Sequence, residues 1–150
     1  LPEAHLRLLL AGKPGTPEYG RTLAALAAGD ARIRFVPQFV PPEDVQLYYN
    51  AADICVLPYR QITTSGAALL AFSFGLPIVA PAIGAFPALV TPARGVLYDP
   101  AQPAGLTVAL MAAQQHEWQA ARSEILTWVG QFDWAEIGAR LLAAYGEGSS

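Results

Sequence analysis

The stretch Tyr59 to Pro81, YRQITTSGAALLAFSFGLPIVAP, passes from a polar turn into an apolar helix and then into an apolar strand. Thr63, Thr64 and Ser65 are residue types that cap helices, and Gly66 falls in the first turn they would cap. The amides of a first helical turn lack intrahelical acceptors and share the positive end of the helix dipole, which suits them to a phosphate. Arg60, just upstream, is a candidate counter-charge. From Gly66 the run AALLAF forms helix readily and is apolar on every face; Gly75 supplies the stop, and Leu76 to Ala80 reads as a buried strand. A polar cap, a buried helix, a glycine and a buried strand, in that order, present a ligand at the edge of a parallel sheet in a doubly wound α/β domain.

Two blander readings compete. No charged residue occurs between Arg60 and Arg94, a span longer than the roughly 20 residues a bilayer requires. Pro77, Pro81 and Pro87, with Gly75 and Gly84, divide it into pieces too short to cross as one helix, so a core helix and strand explain it better. The second is that Thr63 to Ser65 merely cap a core helix, since capping alone accounts for these residue types.

The 150 residues fit one domain, large enough to bury roughly 68 to 70% of its unfolded surface. Cys55 is the only cysteine, which excludes an intrachain disulfide and allows a reducing, cytoplasmic setting. CxxC and HExxH spacings are absent, and His5 and His116 are isolated, so no metal site is expected. A net charge of −3 argues against a nucleic-acid partner, which would call for a basic stripe. No charged n-region followed by an apolar h-region opens the chain. Leu1 stands only a few residues before a strand, and the expectation is a piece of a longer protein.

In chain order, Leu6 to Ala11 reads as a buried strand ending in the loop Gly12, Lys13, Pro14 and Gly15. That loop lacks the GxxxxGK[ST] order of a P-loop, so a ligand role for Gly12 or Lys13 competes with a plain turn. A helix is expected over Pro17 to Ala28, capped by Thr16 and closed by Gly29. A strand over Ile33 to Val36, a helix over Pro42 to Ala52 and a strand over Ile54 to Leu57 precede the opening stretch. After it come a loop with a helical turn over Ile83 to Val90 and a strand over Gly95 to Tyr98. Asp99 and Pro100 turn the chain into helices over Pro103 to Gln115, Glu117 to Gly130 and Asp133 to Tyr145. Trp118, Trp128 and Trp134 read as core and docking residues, and 146–150 as a mobile tail. The alternation of strands and helices predicts an α/β fold, a Rossmann-like doubly wound parallel sheet with helices on both faces. Right-handed crossovers would place Gly12, Phe39, Arg60 and Thr63 to Gly66 along one sheet edge, where hydroxyls, amides and the cations Lys13 and Arg60 suit a diphosphate or nucleotide. No Ser-His-Asp or paired-carboxylate arrangement is legible, so no catalytic residue is assigned.

The order Ala51-Ala52-Asp53, Val56-Leu57-Pro58, Ser65-Gly66, Phe74-Gly75-Leu76-Pro77-Ile78-Val79-Ala80, Gly84 and Gly95-Val96-Leu97-Tyr98 resembles the C-terminal, nucleotide-sugar-binding domain of GT-B glycosyltransferases, most of all family 4, the group 1 enzymes. The resemblance runs from about Leu6 to Tyr145. It implies a bacterial sugar transferase acting in polysaccharide or glycolipid assembly, with no obligatory metal or other cofactor and a nucleotide-diphosphate sugar as donor. It also implies donor contacts from Thr63, Thr64, Ser65 and Gly66 to the diphosphate and sugar, and from Gln38 and Phe39, in the loop Gln38 to Val40, to the base. By the same resemblance, an acceptor-binding N-terminal domain and a first βα unit with phosphate-binding Arg and Lys belong upstream of Leu1. Residues 1–150 alone are then expected to be inactive, and the full-length protein to associate peripherally with the inner face of the membrane.

The sequence departs from the family pattern at two positions. The family often carries two glutamates eight positions apart, which counting back from Gly75 fall at Ile62 and Leu70. Contacts to donor ribose and sugar, and the usual retaining mechanism, are thereby in doubt. A similar TTSGAALLA run in some inverting bacterial β-mannosyltransferases makes inversion a reasonable alternative. Also open are a degenerate, non-catalytic domain with an assembly role and a sugar-nucleotide epimerase on the same fold, although the latter needs carboxylates that the central stretch lacks.

Overall fold

The computed structural model describes residues 6–133, 135, 137–139, 142 and 143. The chain divides into two compact units, Leu1–Tyr48 and Tyr49–Ser150.

In the first unit β1 (Leu8–Ala11) pairs in parallel with β2 (Ile33–Val36), in a register running from Leu8 opposite Ile33 to Ala11 opposite Val36. Between them lies α1 (Pro17–Ala28), opened as its sequence dictates: Thr16 accepts the Tyr19 amide at 3.2 Å through Oγ1, and Pro17 fills a first-turn position where a missing N–H costs nothing. Asp30 and Arg32 pair at the entry to β2, and the Arg32 hydrogen bonds hold the Asp30 carboxyl down at about 2. α2 (Pro42–Asn50) follows, two residues shorter than expected. The buried strand expected over Leu6 to Ala11 is corrected: it is shorter, and Leu8 and Leu9 are 42% and 40% exposed. No described residue of this unit is fully buried, because two strands and their helices leave both sheet faces incompletely covered.

The second unit contains the core. β3 (Cys55–Val56), β4 (Ile78–Pro81) and β5 (Gly95–Tyr98) form a parallel sheet in the order β3-β4-β5. α3 (Gly66–Ser73), the single turn α4 (Phe86–Leu89), α5 (Gly105–Gln114) and α6 (Trp118–Gly130) surround it. The period-two alternation of β4 divides the core by face. Ile78 and Ala80 point to a cluster with Ala68, Phe72, Phe86 and Ile125 from α3, α4 and α6, whereas Val79 points to Ala109 and Ala113 of α5. Helices therefore cover both faces of a parallel sheet, as the sequence predicts.

Trp118 packs against both clusters and donates Nε1–H to the Ala113 carbonyl at 2.7 Å. Trp128 meets the buried Phe72 edge-on, with the Arg94 guanidinium 4.0 Å above its ring and Arg94 Nε donating to the Leu89 carbonyl at 3.0 Å. Gly75, at φ 69°, ends α3 as expected. The buried helix expected after the cap is corrected: α3 is apolar all round, but only one side of it is buried. Gly66, Leu70 and Ser73 recur at helical spacing on its outer stripe, and Leu70 is 40% exposed there.

The helix expected over Asp133 to Tyr145 is described only at 135, 137–139, 142 and 143, all helical. Trp134 and the tail 146–150 lie outside the described residues. Among the described residues no helix is long and apolar enough to cross a membrane.

Candidate functional site

The opening of α3 lies between strands β3 and β4, on the side where parallel strands end. Ser65 holds an extended backbone and accepts the Ala68 amide through Oγ at 3.1 Å, while its own carbonyl begins the helical ladder by accepting Leu69 N–H at 3.4 Å. Of the three candidate capping hydroxyls only this one forms the cap; Thr63 and Thr64 are exposed in the approach loop. Ser65 is buried, yet the next residue, Gly66, is exposed and a Cβ there would meet no atom within 4 Å. The amides of Gly66 and Ala67 are left without an acceptor among the described residues. Arg60 is exposed and forms no ion pair among the described residues.

Two contacts hold the approach loop. Tyr59 lies parallel to the buried ring of Phe86, 6.0 Å between centroids and 8° between planes, and so fastens the loop to the start of α4. Ile62 packs its side chain on the core and sets its carbonyl against Gly84, which has φ 54°. A Cβ at Gly84 would overlap that carbonyl oxygen, so the loops leaving β3 and β4 touch without room for a side chain at position 84. Sequence reasoning named Gly84 as a break in the apolar span and as part of a pattern; a glycine in the short loop after a buried strand is the signal that marks a close approach. The first-turn amides expected to be free are those of Gly66 and Ala67.

The group is cationic and amide-rich. No acidic residue occurs between Asp53 and Asp99, and the positions where the resemblance expects glutamates hold Ile62, directed into the core, and Leu70, one turn along the outer stripe from Gly66. No His/Cys/Asp/Glu group fit for a metal exists among the described residues. Cys55, within β3, is half-buried, and burial pushes its thiol up to about 11, which suppresses nucleophilic thiolate. The arrangement can bind and stabilise an anion but supplies no general acid or base of its own.

In the first unit, Gly12 and Lys13 follow β1 and Gln38 and Phe39 follow β2, so parallel pairing brings the four to one end of that sheet. One carbonyl organises both turns: Val36 O accepts Gly12 N–H at 3.1 Å and Gln38 N–H at 2.9 Å. Phe39 is 68% exposed, and Lys13 is exposed without an ion pair among the described residues. The expected donor contacts thus form two groups, one in each unit.

Residues 1–116 match the sequence model of the family described as glycosyl transferases group 1. A D-inositol 3-phosphate glycosyltransferase of Corynebacterium efficiens is 31% identical over 99% of this chain and 37% of its own length. A GDP-mannose:glycolipid 4-beta-D-mannosyltransferase of Xanthomonas campestris pv. campestris is 30% identical over 91% of this chain and 39% of its own. The chain therefore spans less than half the length of these curated relatives. Among solved structures, HepE of Anabaena in complex with UDP superimposes with a TM-score of 0.74 at 18% identity, covering 97% of this chain and 42% of that one. That likeness supports the α/β fold.

Proposed function

The chain belongs to the glycosyl transferases group 1 family, and on that premise we propose that its second unit holds the diphosphate of a nucleotide-sugar donor at the opening of α3. The observation that supports the proposal is the pair of amides, Gly66 and Ala67, without an acceptor among the described residues at the opening of α3, with the exposed Arg60 in the same approach loop. In sugar transfer the diphosphate departs with growing negative charge, and fixed amides and a guanidinium stabilise that charge without reorganising. Thr63 and Thr64 stand in the same approach loop as further hydroxyl donors. The first unit carries a separate part of the proposal, in which Gln38 and Phe39 contact the base and Gly12 and Lys13 a phosphate.

The full-length protein is proposed to be a bacterial, cytoplasmic transferase that moves a sugar onto a polysaccharide or glycolipid acceptor, peripherally bound at the inner membrane face. The names of the inositol-phosphate and glycolipid relatives support a hydroxylated acceptor. Residues 1–150 alone are proposed to transfer no sugar, because the described site contains no proton-transfer group to activate an acceptor. Detectable turnover by these residues would overturn that.

Calorimetry of UDP and GDP with the full-length protein tests the donor site. Arg60→Ala should weaken the preferred nucleotide about tenfold, consistent with loss of a charge-assisted hydrogen bond of about 1.5 kcal/mol or more. Gly66→Val, at a position open enough to accept the side chain, should abolish binding while the protein stays folded. Equal affinity in wild type and both variants would refute the assignment.

A further inference from the structure

Arg94 is a buried cation without a counter-charge. Only 8% of its surface is exposed, and it forms no ion pair among the described residues. A buried guanidinium is ordinarily paired, because leaving water is costly for an ion unless an anion offsets the loss. Here the ring of Trp128 at 4.0 Å and the Leu89 carbonyl, which accepts Nε–H at 3.0 Å, take up part of that role. The terminal nitrogens Nη1 and Nη2 have no acceptor among the described residues. No side-chain nitrogen or oxygen is sealed inside without a partner among the described residues, so both of these nitrogens reach an opening.

That opening is a depression of about 490 Å³ lined by Arg94, Ser123, Glu124, Thr127 and Trp128. The last four share one stripe of α6. Arg94 enters from the start of β5, where its carbonyl accepts the Ile78 amide at 3.0 Å. The depression therefore lies at the amino end of the strands, whereas the opening of α3 follows the carboxyl end of β3. Thr127 Oγ1 donates to the Ser123 carbonyl at 2.9 Å, but the Ser123 hydroxyl and the Trp128 indole N–H have no hydrogen-bond partner among the described residues.

We infer that this depression binds a small ligand through a single carboxylate. The two terminal nitrogens of Arg94 match the two oxygens of a carboxylate, and Ser123 and Trp128 add neutral donors. Glu124 sets the charge of the ligand. Its side chain lines the same depression without pairing with Arg94, so repulsion grows with the charge of the incoming anion and a monoanion is preferred to a phosphate dianion. The volume lies within the range of small-molecule sites.

Titration of the natural full-length protein with sodium acetate, at an ionic strength held constant with chloride, tests this through the NMR resonance of the Trp128 indole N–H. The shift should saturate with a midpoint of about 1–10 mM, the range open to a pair of charge-assisted hydrogen bonds. Inorganic phosphate, as the dianion, should bind about tenfold more weakly. Glu124→Gln, at an exposed position, should tighten acetate about threefold or more and narrow the gap to phosphate. Arg94→Lys, which loses the paired nitrogens, should weaken acetate about tenfold, and Glu124→Gln keeps the test open should that variant fail to fold. A linear response in wild type, matched by chloride, would overturn the proposal; saturation that then appears in Glu124→Gln would assign Arg94 to Glu124 instead. Tighter binding of phosphate than of acetate by wild type would overturn it equally.

Discussion

The backbone of Gly84 lies against the carbonyl oxygen of Ile62, at a φ of 54° that other residues rarely adopt, so the loop after β4 supports the loop that leads into α3. Both constraints act on any side chain placed there. Gly84→Ala should cost at least about 1–2 kcal/mol from the backbone conformation alone, with the overlap adding to it. The expected reading is a lower denaturation midpoint together with weaker nucleotide binding, since the displaced Ile62 carries the approach loop with it. An unchanged midpoint would show that the two loops separate freely.

Ser65 and its two threonine neighbours should differ sharply. Ser65→Ala removes the bond to the Ala68 amide in a buried setting and should destabilise by about 1 kcal/mol. Thr63→Ala and Thr64→Ala, at exposed positions that cap nothing, should leave stability within about 0.5 kcal/mol while still reducing nucleotide affinity. Thermal melts and calorimetry on the three variants separate the two effects.

Arg94 is a structural cation whose planarity matters. It stacks over Trp128 and donates Nε–H to Leu89, two interactions that a lysine ammonium cannot make together. Arg94→Lys should therefore lose about 2 kcal/mol of stability without changing nucleotide affinity, as read by denaturant midpoint and calorimetry. Full retention of stability would mean that charge alone is needed.

The half-buried Cys55 thiol sets an alkaline limit. Burial favours the neutral form and raises its folded value to about 11, against about 8.5 for an unfolded cysteine. Its contribution to stability is fully present below the unfolded value and is lost as pH rises toward the folded one. The stability difference between wild type and Cys55→Ala should thus shrink between about pH 8.5 and 11. A difference constant across that window would contradict the burial argument.

Local chemistry made much of the fold legible. Thr16, Pro17 and Gly29 bracket α1 as their types require, and β2 and β5 occupy the residues their apolar runs mark. Composition could not reveal how much cover a strand receives. Leu8 and Leu9 read as buried because they are leucines, and burial depends on neighbours as well as on identity. The site shows the same division. Ser65, Gly66 and Arg60 could be named from residue type, but which of three hydroxyls turns inward, and that Ile62 and Gly84 meet, are decided by tertiary packing.

The hydroxyl that completes α3 sits below the surface, while the amides without an acceptor among the described residues belong to the exposed Gly66 and to the backbone of Ala67. Scaffold and the proposed recognition thereby rest on different atoms. If the proposed donor site holds, substitutions in the approach loop or along the outer stripe through Leu70 should alter which sugar is preferred without unravelling the helix, leaving donor preference free to diverge on an unchanged frame.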